Sequence, residues 1–173
     1  MNNRRQFLSA LSAAGLIAAL PRPSFAAESL PAPTGKVMLR ITGSISNTNA
    51  EGAALFDRPM LEAIGMTSVE TKTPWFTDRV RFEGVLMRQL MALIGASGTE
   101  LKVRALNDYA SEIPISDFAT YDVILALKRN GNYMEISDKG PLFVVYPYDS
   151  APELQSQKYY SRSPWQVAKM EVA

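Results

Sequence analysis

Residues 36–46 alternate, with Val37, Leu39 and Ile41 set against Lys36, Met38 and Arg40, the period of a half-buried strand. Helical spacing takes over in residues 56–64. There Asp57 is placed as an N-cap, Pro59 falls in the first turn, Leu61 and Ile64 share a face, and Gly65 is the stop. Residues 67–73 are β-branched enough for a strand, which Pro74-Trp75 interrupts. Residues 80–84 then lead into a helix over 85–94, with Leu86, Leu90, Leu93 and Ile94 on its apolar face and Gly95 closing it. Strands are predicted at 101–106, 111–115, 121–128, 142–146 and 167–172, and Asn130-Gly131 is a hairpin turn. Together these elements predict one α+β domain of mixed β-sheets with short helices, without internal repeat or linker.

Ahead of that domain, Arg4-Arg5 precede Phe7-Leu8 and an apolar run to Leu20 that Ser9, Ser12 and Gly15 dilute. This order is that of a twin-arginine signal peptide over residues 1–26, cut after Ala26, with the mature domain over 27–173 and the periplasm as its destination. Phe7 to Leu20 falls short of the roughly 20 apolar residues that span a bilayer, and Pro21 and Pro23 end the run.

The full chain holds 18 basic and 17 acidic residues. Removing residues 1–26 takes away Arg4, Arg5 and Arg22 and no acid, leaving 15 against 17, a net charge of −2. With no basic stripe in the linear sequence, nucleic acid is not an expected partner. Cysteine and histidine are both absent. An exported fold without cysteine depends on packing rather than disulfides. The lack of histidine removes His-based metal sites and Ser-His or Cys-His catalytic pairs. No catalytic residue and no metal ligand are assigned.

Several stretches in order resemble the molybdopterin-binding domain of the sulfite oxidase superfamily: Phe82-Glu83-Gly84-Val85-Leu86 before a Leu-rich helix, Asn107-Asp108-Tyr109-Ala110-Ser111, Asn130-Gly131, Lys139-Gly140-Pro141-Leu142 with its strand, and the closing Val167-Ala168-Lys169-Met170. The resemblance covers roughly residues 37–172 and implies a sulfite oxidase-like fold. Relatives ligate molybdenum through a cysteine on the strand near residues 70–75, where this chain has Glu70-Thr71-Lys72-Thr73-Pro74-Trp75. A threonine hydroxyl is a poor substitute for a soft thiolate. Short exported proteins of this kind resemble pterin-binding regulators that act with membrane-bound cyclic-di-GMP enzymes. The implied ligand is therefore a reduced, molybdenum-free pterin, and the implied partner is the periplasmic part of a membrane signalling protein. A molybdopterin-dependent oxidoreductase lacking the cysteine ligand is the alternative, and an interaction domain with a vestigial pocket is the third reading.

A pterin needs aromatic faces, an acceptor for its amino-pyrimidine edge and donors for its carbonyl. Three loops carry such groups: Thr73 and Trp75; Asn107, Asp108 and Tyr109; Tyr160, Ser161 and Arg162. In this assignment Asp108 pairs with the amino-pyrimidine edge, Trp75 and Tyr109 flank the ring, and Arg162 with Ser161 binds a carbonyl or side-chain hydroxyls. Each residue also has a plainer role. Trp75 and Tyr109 can cover the core, Asp108 can hold a turn, Arg162 can form a surface ion pair, and Tyr146 and Trp165 fit as packing residues.

Overall fold

The computed structural model describes residues 30–173. The expected signal peptide over residues 1–26 lies outside the described residues. In β1 (Leu39–Gly43) Leu39 and Ile41 are fully buried and alternate with exposed Arg40. Val37, expected on the same face, is 42% exposed because it precedes the strand and borders an open groove. β2 (Ala54–Phe56), not expected from the sequence, pairs antiparallel with β1.

α1 (Arg58–Ala63) starts where its cap predicts. The Asp57 Oδ1 accepts from Met60 N at 3.0 Å, and its Oδ2 accepts from Thr34 N and Gly35 N, both at 2.8 Å. One carboxylate thus caps the helix and ties down the Pro-rich lead-in.

β3 (Met66–Thr73) turns at Pro74-Trp75 into β4 (Phe76–Leu86), antiparallel to it. Val85 and Leu86, expected in the following helix, instead pair with Leu125 and Ile124, so α2 (Met87–Leu93) begins two residues later. Gly84 sits where the β4 register slips, and a Cβ there would lie 2.1 Å from the Leu125 carbonyl oxygen. That close approach explains the glycine in the Phe82-Glu83-Gly84 motif.

β5 (Glu100–Ala105) and β6 (Ala110–Pro114) form a hairpin, followed by α3 (Ser116–Thr120), a short helix not expected from the sequence. β7 (Ile124–Arg129) turns through Asn130 and Gly131, at φ 49° and 83°, into β8 (Asn132–Tyr133), the positive-φ pair that such a turn requires. β9 (Phe143–Val145), α4 (Gln157–Ser161) and β10 (Val167–Val172) complete the chain.

The first sheet has the order β2-β1-β10-β5-β6, with β1 and β10 parallel. The second has β3-β4-β7-β8, with β9 also on β7, all antiparallel. One continuous core joins Leu39, Val103 and Met170 of the first sheet to Phe82, Leu125 and Phe143 of the second. The segment after α4 links the sheets. Val144 N donates to Pro164 O at 3.0 Å and Val167 N to Leu142 O at 2.9 Å before β10 enters the first sheet.

The backbone N–H groups of Met60 and Gly35, in that order, hold the Asp57 carboxyl below its ordinary 3.8. A folded-state value below the unfolded one stabilises at higher pH and loses that contribution as pH falls through the folded value. The urea midpoint of wild type should therefore exceed that of Asp57→Asn at neutral pH. The gap should close as the pH drops below the ordinary carboxylate value, measured by urea titration of both proteins across the acid range.

Candidate functional site

Three segments converge on one end of the fold. The β3–β4 turn supplies Pro74 and Trp75, the β5–β6 loop supplies Asn107 and Tyr109, and α4 with the residues after it supplies Gln157, Tyr160, Ser161, Ser163 and Trp165. They enclose a pocket of ≈ 310 Å³, at the small end of ligand sites, roughly 300–1,000 Å³.

The β5–β6 loop is a tight three-residue turn. Ala105 N donates to Tyr109 O at 2.9 Å, Asp108 N donates to Ala105 O at 3.2 Å, and Asp108 takes the left-handed position at φ 65°. α4 docks on this hairpin through the Ser161 carbonyl, which accepts from Ser111 Oγ at 2.8 Å and from the Tyr109 hydroxyl at 3.3 Å.

Trp75 has two duties. Its ring packs edge-on against Phe143 (5.4 Å between centres) and Tyr148 (6.2 Å), covering the core, and against Trp165 (5.5 Å) and Tyr160 (6.0 Å), which share the pocket wall. Lys139 lies with its ammonium 3.8 Å from the centre of the Trp165 ring. Burial, outweighing the nearby Asp138 carboxylate, pulls its pKa down from 10.5.

Polar groups remain free on the wall. Asn107 Oδ1 accepts from Tyr109 N at 3.2 Å, leaving its amide N–H donors. Among the described residues neither the Gln157 amide nor the Tyr160 hydroxyl has a side-chain partner. No lining residue carries a charge.

Three residues assigned to the site from sequence stand apart from this wall. Thr73 is buried behind it, its hydroxyl accepting from Trp75 N at 3.3 Å. Asp108 points to solvent, its side chain 89% exposed and 3.9 Å from Arg104, because the left-handed turn position directs it away from Asn107 and Tyr109. Arg162 turns inward. Its Nη1 donates to Asp117 Oδ2 at 2.8 Å, and the Tyr146 hydroxyl donates to the same oxygen at 2.7 Å.

Trp75, Asn107, Tyr109, Tyr160 and Ser161 do come together. Gln157 and the pocket-facing part of Trp165 were missed. A signal existed for Gln157, since positions 157, 160 and 161 have the i, i+3, i+4 spacing of one helix face.

The phenols behind the pocket stay protonated at neutral pH. Burial first, then the Asp117 contact, pushes Tyr146 well above the usual range; burial does the same to Tyr148; the Tyr159 hydroxyl holds Tyr121 up at about 12.

A larger groove of ≈ 800 Å³ lies elsewhere, against Lys36, Asp57, Tyr133 and Ile136. Its deepest carboxylate, Asp57, is already consumed by three backbone donors. The smaller pocket is the one that combines aromatic walls with free donors and acceptors.

Arg162→Ala should destabilise the fold by about 3 kcal/mol, since it strands a buried carboxylate. A urea midpoint equal to that of wild type would disprove the role of this pair. Asp108→Ala should cost no more than about 1–2 kcal/mol, the left-handed penalty of a non-glycine residue, as read by the same titration.

Residues 59–153, from α1 to the turn before α4, match the family model of the oxidoreductase molybdopterin binding domain. None of the curated proteins matches the chain. The match includes Trp75, Asn107 and Tyr109 and stops short of Tyr160, Ser161 and Trp165.

The donor set does not fit a protein-ligated molybdenum. Thr71 Oγ1 accepts from Asp149 N at 3.1 Å and Thr73 Oγ1 is engaged with Trp75 N, so both hydroxyls near the expected ligand position are occupied. No metal-holding group of three or more His, Cys, Asp or Glu exists among the described residues. Aromatic edges with neutral amide and hydroxyl groups do fit a flat heterocycle. With the family model matching more than half of its 173 residues, the chain belongs to the oxidoreductase molybdopterin binding domain family and has its single α+β domain.

Proposed function

We propose that this chain is a periplasmic pterin-binding protein that holds its ligand without a protein-bound molybdenum and acts as a ligand sensor for a membrane-bound cyclic-di-GMP enzyme. The observation that carries the ligand is the uncharged pocket in which Trp75, Trp165, Tyr109 and Tyr160 meet the amides of Asn107 and Gln157. Ring faces and edges take up a heterocycle, and the two amides, each both donor and acceptor, can accept from the pterin's amino group and donate to its carbonyl.

The twin-arginine order of Arg4-Arg5 supports the periplasmic location. The likeness to short exported regulators supports the signalling role. A sensor requires that ligand change the affinity for its partner through contacts that differ between the two states. The exposed β5–β6 loop, with Asn107 and Tyr109 on the pocket rim, supports contacts of that kind.

A second reading has its own support. The family match favours a molybdopterin-dependent oxidoreductase in which the pterin alone holds the metal.

Mass spectrometry and metal analysis of protein purified anaerobically from the periplasm separate the two. A simple reduced pterin without molybdenum is the expected result, and near-stoichiometric molybdenum with molybdopterin would overturn it. Titration with a tetrahydropterin, followed by tryptophan fluorescence, should show Trp75→Ala weakening binding at least ~10-fold, the loss of roughly 1.5 kcal/mol of aromatic contact. Asp108→Ala should leave the affinity within about twofold of wild type.

A further inference from the structure

On the outer face of the first sheet, Arg40 of β1 stands beside Lys169 of β10, and Lys169 stands beside Arg104 of β5. All three are exposed. Neighbouring strands place such side chains about 5 Å apart at Cβ, and like charges directly opposite one another destabilise a sheet. Among the described residues, the one acidic group within ion-pair distance of any of the three is Asp108, 3.9 Å from Arg104 in an exposed and weak pair. The next row across the same strands reads Thr42, Glu171, Lys102 and Glu112 and alternates in sign. A depression of ≈ 280 Å³ lies over these two rows.

We propose that this cationic row is the docking surface for a protein partner that presents a line of acidic side chains. The row has self-repulsion that a partner's carboxylates relieve, which gives binding energy without new apolar contact. Its immediate neighbours Glu171 and Glu112 fix the register, because a partner must be acidic over one row and tolerate acid in the next. This alternation, with the net charge of −2 expected once residues 1–26 are removed, disfavours an anionic lipid surface, which attracts net-positive clusters of about 4–8 basic residues.

The row also borders the pocket. Arg104 leads directly into the β5–β6 loop and pairs with Asp108, whose chain neighbours Asn107 and Tyr109 line the pocket. A partner that takes Arg104 from Asp108 therefore acts on the loop that lines the ligand site. That coupling rests on the pterin-binding reading; the docking surface does not.

The test uses ligand-free protein with a hexaglutamate peptide as probe, followed by amide shifts in nuclear magnetic resonance. Saturable shifts confined to residues around Arg40, Arg104 and Lys169, abolished at about 0.5 M salt, are expected. Lys169→Glu should eliminate these shifts and raise the urea midpoint, since it places an acid between two arginines; a loss of binding with a gain of stability is not unfolding. Shifts scattered over all basic residues, or retained in Lys169→Glu, would overturn the proposal. So would Lys169-dependent binding to phosphatidylglycerol vesicles tighter than to the peptide, which would make the face a lipid surface. Each outcome is independent of whether a pterin binds.

Discussion

A carboxylate taken out of water must find donors, and Asp117 finds two, the Tyr146 hydroxyl and the Arg162 guanidinium, on one oxygen. Tyr146, fully buried, directly follows β9, and Arg162 follows α4, so this single group ties the segment after α4 to the second sheet. Ser163 strengthens the same connection. Its hydroxyl donates to Tyr159 O and is paired with the Tyr148 hydroxyl. With residues 159–163 pinned from below, the opposite side of α4 can present Gln157, Tyr160 and Ser161 outward, and Trp165 can bridge to Phe143. The pocket wall exists because the charge beneath it is satisfied.

That arrangement explains which parts of the molecule were legible in the sequence. β10 and the N-cap of α1 were readable because local pattern and chemistry agreed: alternation over residues 169–172, and a capping Asp before Pro59. The hairpin at Asn130-Gly131 was readable because those residues tolerate the positive φ the turn imposes. β2 and β8 were too short to show a period, and α3 and α4, at five residues each, owe their existence to tertiary contacts rather than to propensity. The start of α2 was misplaced because Val85 and Leu86 suit either element, and only pairing with β7 decides between them.

The site was half legible for a related reason. Residue type identified which loops hold aromatic and polar groups, and those loops do meet. Direction was not readable. Asp108 faces solvent because the chain needs a left-handed residue at that turn, and Arg162 faces the core because Asp117, 45 residues earlier, needs a cation. A charged residue in a promising loop therefore has a prior claim on it from any buried opposite charge. Removing both charges from the assignment leaves a neutral pocket, which changes its chemistry from ion pairing to stacking and amide recognition.

The β5–β6 hairpin shows how one backbone constraint separates two surfaces. Its three-residue turn sends Asn107 and Tyr109 toward the pocket and Asp108 to the other side, where Arg104 begins the cationic row. A strand's alternation then carries that separation along the sheet, with Val103 and Leu101 inward and Arg104 and Lys102 outward. Movement of Asn107, Asp108 and Tyr109 couples the two surfaces, because these consecutive residues alternate between the pocket and the Arg104 side. Backbone bonds from Ala105 N to Tyr109 O, Leu106 N to Gln166 O and Asp108 N to Ala105 O anchor the loop, whereas the Asp108 side chain is held by one weak pair. The least secured contact in the loop is thus the one that faces the prospective partner, while its opposite side is fixed by the Tyr109 hydroxyl on α4.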